Sequence, residues 1–256
     1  MKKLLAFAIT VVLIATCLVG CGGSDSKDDN KLETVTEGKL TMATNAEFPP
    51  YEFYEGEKVV GIDAEVAEKI AEKLGLELEI ADVSFDSIIP GVQSGKYDMG
   101  MAGMTVTDER KRSVNFSDSY ATGIQSVIVK EDSPIKSIDD LDGKKIGVQT
   151  ATTGDIYASD DYGEDNVKRF ENGAAAVAAL TANKVDCVII DNEPAKAYVE
   201  ANKGLKILDT EYAVEDYAIC FSKDSEELQK KVNDALNELK KDGSIQKIVD
   251  KYINAD

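Results

Sequence analysis

The order in which strand-like and helix-like patterns follow one another constrains the fold of this chain more than any other feature. "KLTMATN" predicts a strand, "DAEVAEKIAEKLG" predicts a helix that ends at Gly75, and "LELEIADV" predicts a second strand. A strand, a helix and a strand in succession favour parallel pairing with helices on the faces of the sheet. The sequence therefore predicts an α/β fold.

A second series of the same kind follows the first. "KKIGVQT" and "VDCVIID" predict strands with helices between them, and the chain then returns to two C-terminal helices. We therefore expect two lobes, each with a mostly parallel sheet, joined by two hinge crossings near Tyr120–Ile124 and Ala213–Tyr217. The expected lobes are residues 38–120 plus 218–256 and residues 121–217. Open α/β sheets bind ligands where their strands end, so the cleft between the lobes is the expected ligand site.

The first residues resemble a bacterial lipoprotein signal. Lys2 and Lys3 precede an apolar run from Leu4 to Val19, and "LVG" stands directly before Cys21. Cleavage of residues 1–20 would leave Cys21 as a lipid-bearing N-terminus, followed by a small, polar and charged tether over residues 21–37. The alternative is a permanent transmembrane anchor, for which the apolar run is short.

The charge and the cysteine content exclude several classes of function. The formal net charge is −19, and loss of residues 1–20 with their two lysines changes it to −21. Nucleic acids and anionic lipid surfaces are therefore poor partners for the body of the protein. The chain has no histidine and no CxxC pair, so we expect no metal, no cofactor and no serine–histidine triad. Cys187 and Cys220 lie in apolar runs and are expected to be buried thiols, although export permits a disulfide.

The stretch "GMTVTDER" combines small polar groups with one fixed positive charge. If Thr107 caps a helix that begins at Asp108, Arg110 lies in its first turn, where a guanidinium can pair with a carboxylate. Gly103 leaves its backbone open to a ligand, and Thr105 adds a hydroxyl. The alternative is an ordinary helix start with a surface Arg–Asp pair.

Two further polar clusters stand where predicted strands end. Thr152 and Thr153 begin a helix after "IGVQT", a geometry that favours anions but also fits ordinary capping. Asp191 follows "VDCVII" and is either a helix cap or an anionic partner for an ammonium group. In the first series, Phe48 lies in a stiff aromatic turn and Phe85 begins a helix; core packing is the alternative for either ring.

In their order along the chain, these motifs closely resemble the polar amino acid-binding proteins of ABC importers, which are bilobed extracellular solute receptors. The resemblance extends from Gly38 to Ile253 and is carried by "ATNAEFPPYEF", "VGIDAEVAEKIAEKLG", "FDSIIPGVQSGKYD", "GMTVTDERKRSVNFSDSY", "IGVQTATTGD" and "DCVIID". It implies a periplasmic-binding-protein-like fold.

The resemblance also implies a role for each candidate residue. Arg110 would hold the α-carboxylate of an amino acid, with Thr105 and the amides around Thr152 and Thr153. Gly103 and Asp191 would receive the α-ammonium group. The remaining implied contacts are with the ligand side chain, sandwiched by Phe48 and Phe85 and lined at its far end by Asn45, Glu47, Ala102 and Gln149. The chain departs from the family pattern at Ala151, where many relatives have glycine, and this difference affects the amide geometry of that loop.

The implied function is capture of a polar L-amino acid by closure of the lobes and delivery to a membrane permease with its ATPase. We expect a monomer, lipid-anchored on the extracytoplasmic face of the cell membrane, and not an enzyme. The proposed contacts include no Lys or His side chain near the ligand side chain, which disfavours acidic ligands. Asn45 and Gln149 suit an amide, and Glu47 suits a cation if its side chain points inward. Glutamine and the basic amino acids are therefore the favoured ligands, ahead of cystine or another polar amino acid.

Two alternatives use the same scaffold. One is a dehydratase acting on cyclohexadienyl acids such as arogenate, in which Glu47 would be the general acid. Against it, no reacting acid is identifiable, while both partners of a zwitterion, Arg110 and Asp191, are present. The other is the sensor domain of a signalling receptor, which we would expect to continue into a transmembrane helix.

We predict that Cys21→Ser releases the protein from membranes and leaves ligand binding unchanged, because no lipid can be attached to a serine hydroxyl at this position. Fractionation of cells that express the native chain and the variant measures the change. Continued membrane attachment of the variant would mean that the apolar N-terminal segment is retained as an anchor.

Overall fold

The computed structural model describes residues 32–209 and 212–253. The predicted signal segment, Cys21 and most of the predicted tether lie outside the described residues. Among the described residues, no helix combines the length and the apolar character that a membrane span requires.

The described residues form fourteen strands and eight α-helices. The strands are β1 (Lys39–Thr44), β2 (Glu47–Phe48), β3 (Glu52–Glu55), β4 (Lys58–Val60), β5 (Glu77–Asp82), β6 (Met99–Gly100), β7 (Asn115–Phe116), β8 (Ala121–Lys130), β9 (Ile146–Gln149), β10 (Val167–Phe170), β11 (Cys187–Asp191), β12 (Leu205–Ile207), β13 (Ala213–Tyr217) and β14 (Cys220–Phe221). The helices are α1 (Ile62–Leu74), α2 (Phe85–Gln93), α3 (Asp108–Ser113), α4 (Thr153–Tyr162), α5 (Gly173–Thr181), α6 (Asn192–Ala201), α7 (Glu226–Lys241) and α8 (Ser244–Ile253).

Two sheets form the centres of two lobes. The first lobe is built on the order β5-β1-β6-β14-β7, and the second on β10-β9-β11-β8-β12 with β13 added along β8. The strands within each sheet fall inside the predicted lobe ranges, while the lobe boundaries themselves stay a prediction. A small sheet, β2-β3-β4, flanks the first lobe.

Both sheets are mixed. The parallel pairing predicted from the strand–helix–strand order occurs between β5, β1 and β6 and between β10, β9 and β11. The remaining strands, β7, β8, β12, β13 and β14, pair antiparallel, so the sheets are not mostly parallel as the sequence predicted. Helical crossovers produce parallel neighbours, whereas direct returns of the chain produce antiparallel ones.

Helix α1 follows the pattern expected from its sequence. Its buried face carries Val66, Ala67 and Ile70, and it ends at Gly75 in the left-handed conformation. The first turn of α1 also buries Asp63, a charged residue that the hydrophobic pattern does not explain. The carboxyl group of Asp63 accepts hydrogen bonds from the Gly103 N–H and from Tyr120 Oη.

The two predicted crossings lie side by side. The first half of β8 pairs antiparallel with β13, so that Tyr217 lies opposite Ala121. Tyr217 is fully buried, its ring packs edge-on against Tyr51 with centroids 5.2 Å apart, and its phenol donates a hydrogen bond to Asp191 of the second lobe. An aromatic residue of a crossing strand thus contacts side chains from both lobes.

Cys187 and Cys220 are free, buried thiols, as expected from their apolar surroundings. They lie on strands of different sheets. Burial raises the pKa of each thiol to about 12, so neither is ionised near neutral pH.

We predict that Gly123→Ala lowers the free energy of unfolding by about 1–3 kcal/mol, because a Cβ atom at position 123 of β8 would overlap the Tyr217 ring and displace its phenol from Asp191. Urea denaturation of the purified variant measures the loss. Thr122→Ala, at the exposed neighbouring position of the same strand, is the matched control and should change the value by no more than about 0.5 kcal/mol. Equal effects of the two variants would contradict this role of Gly123.

Candidate functional site

One cavity is lined by residues of both lobes. Its empty space, including the open mouth, is about 320 Å³, which is at the small end of the range for ligand pockets. The lining residues are Asn45, Phe48, Glu52, Phe85, Ala102, Gly103, Thr105, Arg110, Gln149, Thr152, Thr153 and Asp191.

The structure brings eleven of the twelve residues singled out in the sequence to this one cavity. Glu47 is the exception: its side chain is exposed, and only its backbone carbonyl takes part in the cleft by accepting a hydrogen bond from Tyr198 Oη at 2.8 Å. The register of β2 with β3 explains the difference. Phe48 pairs with Glu52, and side chains of directly opposed residues lie on the same face of a sheet. Glu52, which the sequence reasoning missed, therefore joins Phe48 in the cavity.

Arg110 is almost completely buried, with 7% of its surface exposed. Its Nη1 donates to the Thr105 carbonyl at 2.8 Å, and its Nη2 donates to the Ala151 carbonyl of the second lobe at 3.0 Å. The guanidinium also lies over the Phe85 ring, 5.3 Å from its centroid. Burial lowers the pKa of Arg110, yet a guanidinium stays protonated at any physiological pH. These carbonyls use two of its five N–H donors, and within the described residues no acceptor is found for the others, which can therefore bind a carboxylate.

The local fold around Arg110 follows the sequence prediction. Thr107 caps α3, and its hydroxyl accepts a hydrogen bond from the Arg110 backbone N–H at 3.1 Å. The nearby Asp108 pairs with Lys111 at 3.5 Å and does not pair with Arg110. The arginine of this helix start is thus turned inward, and the alternative of a surface Arg–Asp pair does not hold.

The part of the second lobe that contacts Arg110 is the loop at the start of α4. Thr152 caps this helix by accepting from the Asp155 backbone N–H at 3.3 Å, and the Thr153 hydroxyl lies 3.4 Å from the Thr105 hydroxyl. Ala151 adopts the left-handed conformation with φ 63°, which costs energy for a residue other than glycine. Its N–H donates to Asp155 Oδ2 at 3.0 Å, an interaction that holds this loop conformation.

Asp191 ends β11 with only 8% of its surface exposed. It makes no side-chain capping bond to α6, so the alternative of simple helix capping does not hold. Burial, together with the nearby Glu215 carboxylate, raises the pKa of Asp191 to about 7, although the hydrogen bond from Tyr217 acts in the opposite direction. An ammonium group beside Asp191 would relieve this unfavourable charge.

Two amide side chains of the lining also join the lobes. Gln149 Nε2 donates to Asn45 Oδ1 at 2.8 Å, and Asn45 Nδ2 donates to the Val83 carbonyl at 3.0 Å. Gly103 leaves space for Phe48, since an added Cβ atom would lie 2.8 Å from the ring. Together with the contacts of Arg110 and Tyr198, this amide pair holds the two lobes in direct contact.

Carboxyl groups outnumber cations in and beneath the cavity. Glu52, Asp63 and Glu215 are buried close to it in addition to Asp191. Glu215 Oε2 accepts from Thr105 Oγ1 and from Gln125 Nε2, each at 3.0 Å. Among the described lining residues Arg110 is the only cation, so the cavity as a whole favours positive charge. Within the described part of the chain, no group of three His, Cys, Asp or Glu side chains could hold a metal ion.

Comparison with known proteins identifies the family. Residues 40–255 match the bacterial extracellular solute-binding proteins, family 3. The chain belongs to this family. It is 34% identical to the arginine-binding extracellular protein ArtP of Bacillus subtilis over 96% of this chain and 98% of that protein.

Solved structures agree with this assignment. The arginine-, lysine-, histidine-binding protein ArtJ of Geobacillus stearothermophilus superposes with a TM-score of 0.81 at 38% identity, over 84% of this chain and 95% of that one. An ancestral arginine-binding protein bound to glutamine gives a TM-score of 0.81 at 42% identity, over 85% of this chain and 99% of that one. The two-lobed periplasmic-binding-protein fold expected from the sequence is therefore confirmed. The chain is an extracellular solute-binding protein and not an enzyme, and the dehydratase alternative is not supported.

We predict that the free protein loses stability as the pH rises from about 4 to about 7. The pKa of Asp191 is raised to about 7 and that of Asp63 to about 6, each mainly by burial, whereas an unfolded aspartate titrates near pKa ~3.9. In this range the folded chain binds more protons than the unfolded chain, so the free energy of unfolding falls by up to about 1.4 kcal/mol per pH unit for each group. Urea denaturation at a series of pH values measures the slope.

Asp191→Asn should make this slope shallower, because an amide does not titrate. Asp108→Asn changes an exposed aspartate and should leave the slope as in the native chain. A slope that is unchanged by Asp191→Asn would contradict the raised pKa.

Proposed function

We propose that the protein captures an L-α-amino acid outside the cytoplasm and delivers it to the permease of an ABC importer. The observation that carries the proposal is that the buried guanidinium of Arg110 and the buried carboxyl group of Asp191 line the same small cavity from different lobes. A zwitterion removed from water needs both of its charges matched, because an unpaired buried charge costs several kcal/mol. Arg110 would bind the α-carboxylate and Asp191 the α-ammonium group.

The two partners belong to different lobes, which couples binding to closure. Arg110 lies in α3 of the first lobe, whereas Asp191 ends a strand of the second. A ligand that contacts both stabilises the closed arrangement over any open one, in proportion to the difference in affinity. The closed form, joined across the cleft by the Asn45–Gln149 and Arg110–Ala151 hydrogen bonds, is the shape that a permease would recognise.

We further propose a glutamine or a basic amino acid as the ligand. Phe48 and Phe85 would cover the aliphatic part of the side chain, and the amides of Asn45 and Gln149 suit a polar end group. The excess of carboxyl groups makes an acidic side chain unfavourable. The names of the relatives support this range, since they are described as binding arginine, lysine and histidine, and one ancestral protein was solved with glutamine.

The cellular context remains part of the proposal. The predicted lipid at Cys21 would hold the protein on the outer face of the cell membrane, where the permease and its ATPase are the protein partners. We propose that it acts as a monomer, with lobe boundaries at residues 120/121 and 217/218.

We predict that Arg110→Ala abolishes amino acid binding, with a loss in affinity of about 100-fold or more, because it removes the charge partner of the ligand carboxylate. A thermal-shift screen of the twenty amino acids plus ornithine and cystine first finds the ligand of the native protein. A ligand at 100 times its Kd stabilises the folded state by about 2.7 kcal/mol, which raises the melting temperature measurably. Isothermal titration of the best ligand then compares the native protein and the variant.

Arg112→Ala is the matched control, since Arg112 lies exposed in the same helix. It should retain native affinity. Full affinity in Arg110→Ala, or no stabilisation of the native protein by any amino acid, would refute the proposed function.

A further inference from the structure

Glu52 is a buried acid in the cavity lining whose carboxyl oxygens receive no hydrogen bond from an N–H or hydroxyl group of the described residues. Glu52 has only 1% of its surface exposed. Asp63 Oδ1, directly beside it, also lacks a donor of this kind, while Asp63 Oδ2 accepts from the Gly103 N–H at 2.8 Å and from Tyr120 Oη at 2.7 Å. Two ionised carboxylates cannot donate to each other, so a proton on one of them is the missing donor.

Among the described residues, the ionisable groups that interact with this carboxyl pair are phenols and further carboxyl groups, and none of them is a cation. They are Tyr51, Tyr120, Tyr198, Asp82 and Asp191. Arg110, the cation of the same cavity, directs two donors to the carbonyls of Thr105 and Ala151. Leaving both acids ionised would therefore place two negative charges together in a buried site, which is strongly unfavourable.

We propose that Glu52 and Asp63 share one proton in the free protein, and that a cationic side chain of the bound amino acid replaces this proton. The O–H bond of Glu52 breaks, the proton passes to the solvent buffer, and the resulting carboxylate pairs with the ammonium or guanidinium group of the ligand. The inference rests on the proposed function and assigns Glu52 as the residue that selects a basic side chain.

The direction of the pKa shifts agrees with this geometry. Burial, reinforced by the Asp63 carboxylate, raises the pKa of Glu52 well above its ordinary value, and burial raises that of Asp63 to about 6. Asp191, with a pKa of about 7, also releases part of a proton when it meets an ammonium group. That part is common to every amino acid, since all carry the α-ammonium group. Only a basic side chain adds the proton of the carboxyl pair.

Proton release can be counted by isothermal titration. The native protein is titrated with L-arginine, L-lysine and L-glutamine at pH 7, in phosphate and in Tris buffer, whose ionisation enthalpies differ. The dependence of the measured enthalpy on the buffer gives the number of protons released per ligand. We expect about one more proton for a basic ligand than for glutamine. Lowering the pH should weaken binding of the basic ligand relative to glutamine, by up to about tenfold per pH unit.

Two variants separate Glu52 from other acids. Glu52→Gln should lose the additional proton and weaken arginine and lysine more than glutamine. Glu55→Gln changes an exposed acid of the same strand and should behave as the native protein. If Glu52→Gln no longer binds a basic ligand, the native protein still gives an answer. Its titration with glutamine counts the protons released at Asp191, and arginine or lysine should release about one more.

The outcomes distinguish the inference from the proposed function. Equal proton release for arginine and glutamine overturns the exchange at Glu52 while leaving amino acid capture intact. Binding of neutral amino acids only also overturns it. Binding of no amino acid refutes the proposed function itself.

Discussion

The Arg110 guanidinium is held by a carbonyl oxygen from each lobe, Thr105 on one side and Ala151 on the other. A buried cation needs hydrogen-bond acceptors around it. The position of this guanidinium therefore constrains the backbone at the start of α3 and in the Ala151 loop, which supply those acceptors. The strained φ of Ala151 is consistent with this constraint, because the left-handed conformation coincides with a carbonyl directed at the guanidinium. The Phe85 ring and the carbonyls of Thr105 and Ala151, from both lobes, all contact this guanidinium.

The carboxyl groups near the cavity are held by residues of β13, the strand that returns from the second lobe. Tyr217, on the strand that returns from the second lobe, donates to Asp191, and Glu215 of the same strand accepts from Thr105 of the first lobe. Any motion that separates the lobes must therefore break or rearrange hydrogen bonds of β13. Two residues of this strand, Tyr217 and Glu215, therefore link the geometry of the hinge to ligand binding and to the ionisation of Asp191.

The parts of the site that the sequence predicts well are those determined locally. Thr107 and Arg110 belong to one helix start, and capping rules place the arginine in the first turn without knowledge of the remaining fold. Glu52 was missed in favour of Glu47 because the choice depends on the pairing of β2 with β3, which puts Glu52 on the same face as Phe48. The mixed pairing of the sheets was missed for a similar reason: strand–helix–strand order predicts crossovers, while the returns near β8, β13 and β14 follow from contacts far apart in sequence.

The negative charge of the protein can attract a cationic ligand from a distance and can contact it inside the cavity. Only the contact inside the cavity can distinguish one ligand from another. A formal charge of −19 attracts cations towards the protein, but solvent ions screen this field over about 8 Å at physiological ionic strength. Arginine, lysine and ornithine would share any such attraction equally. Discrimination between a cationic and a neutral side chain therefore has to come from carboxyl groups shielded from water. Glu52 is the lining acid that accepts no hydrogen bond from an N–H or hydroxyl group of the described residues. A buried acid that is neutral when alone and charged when paired gives this discrimination without the cost of an isolated buried charge.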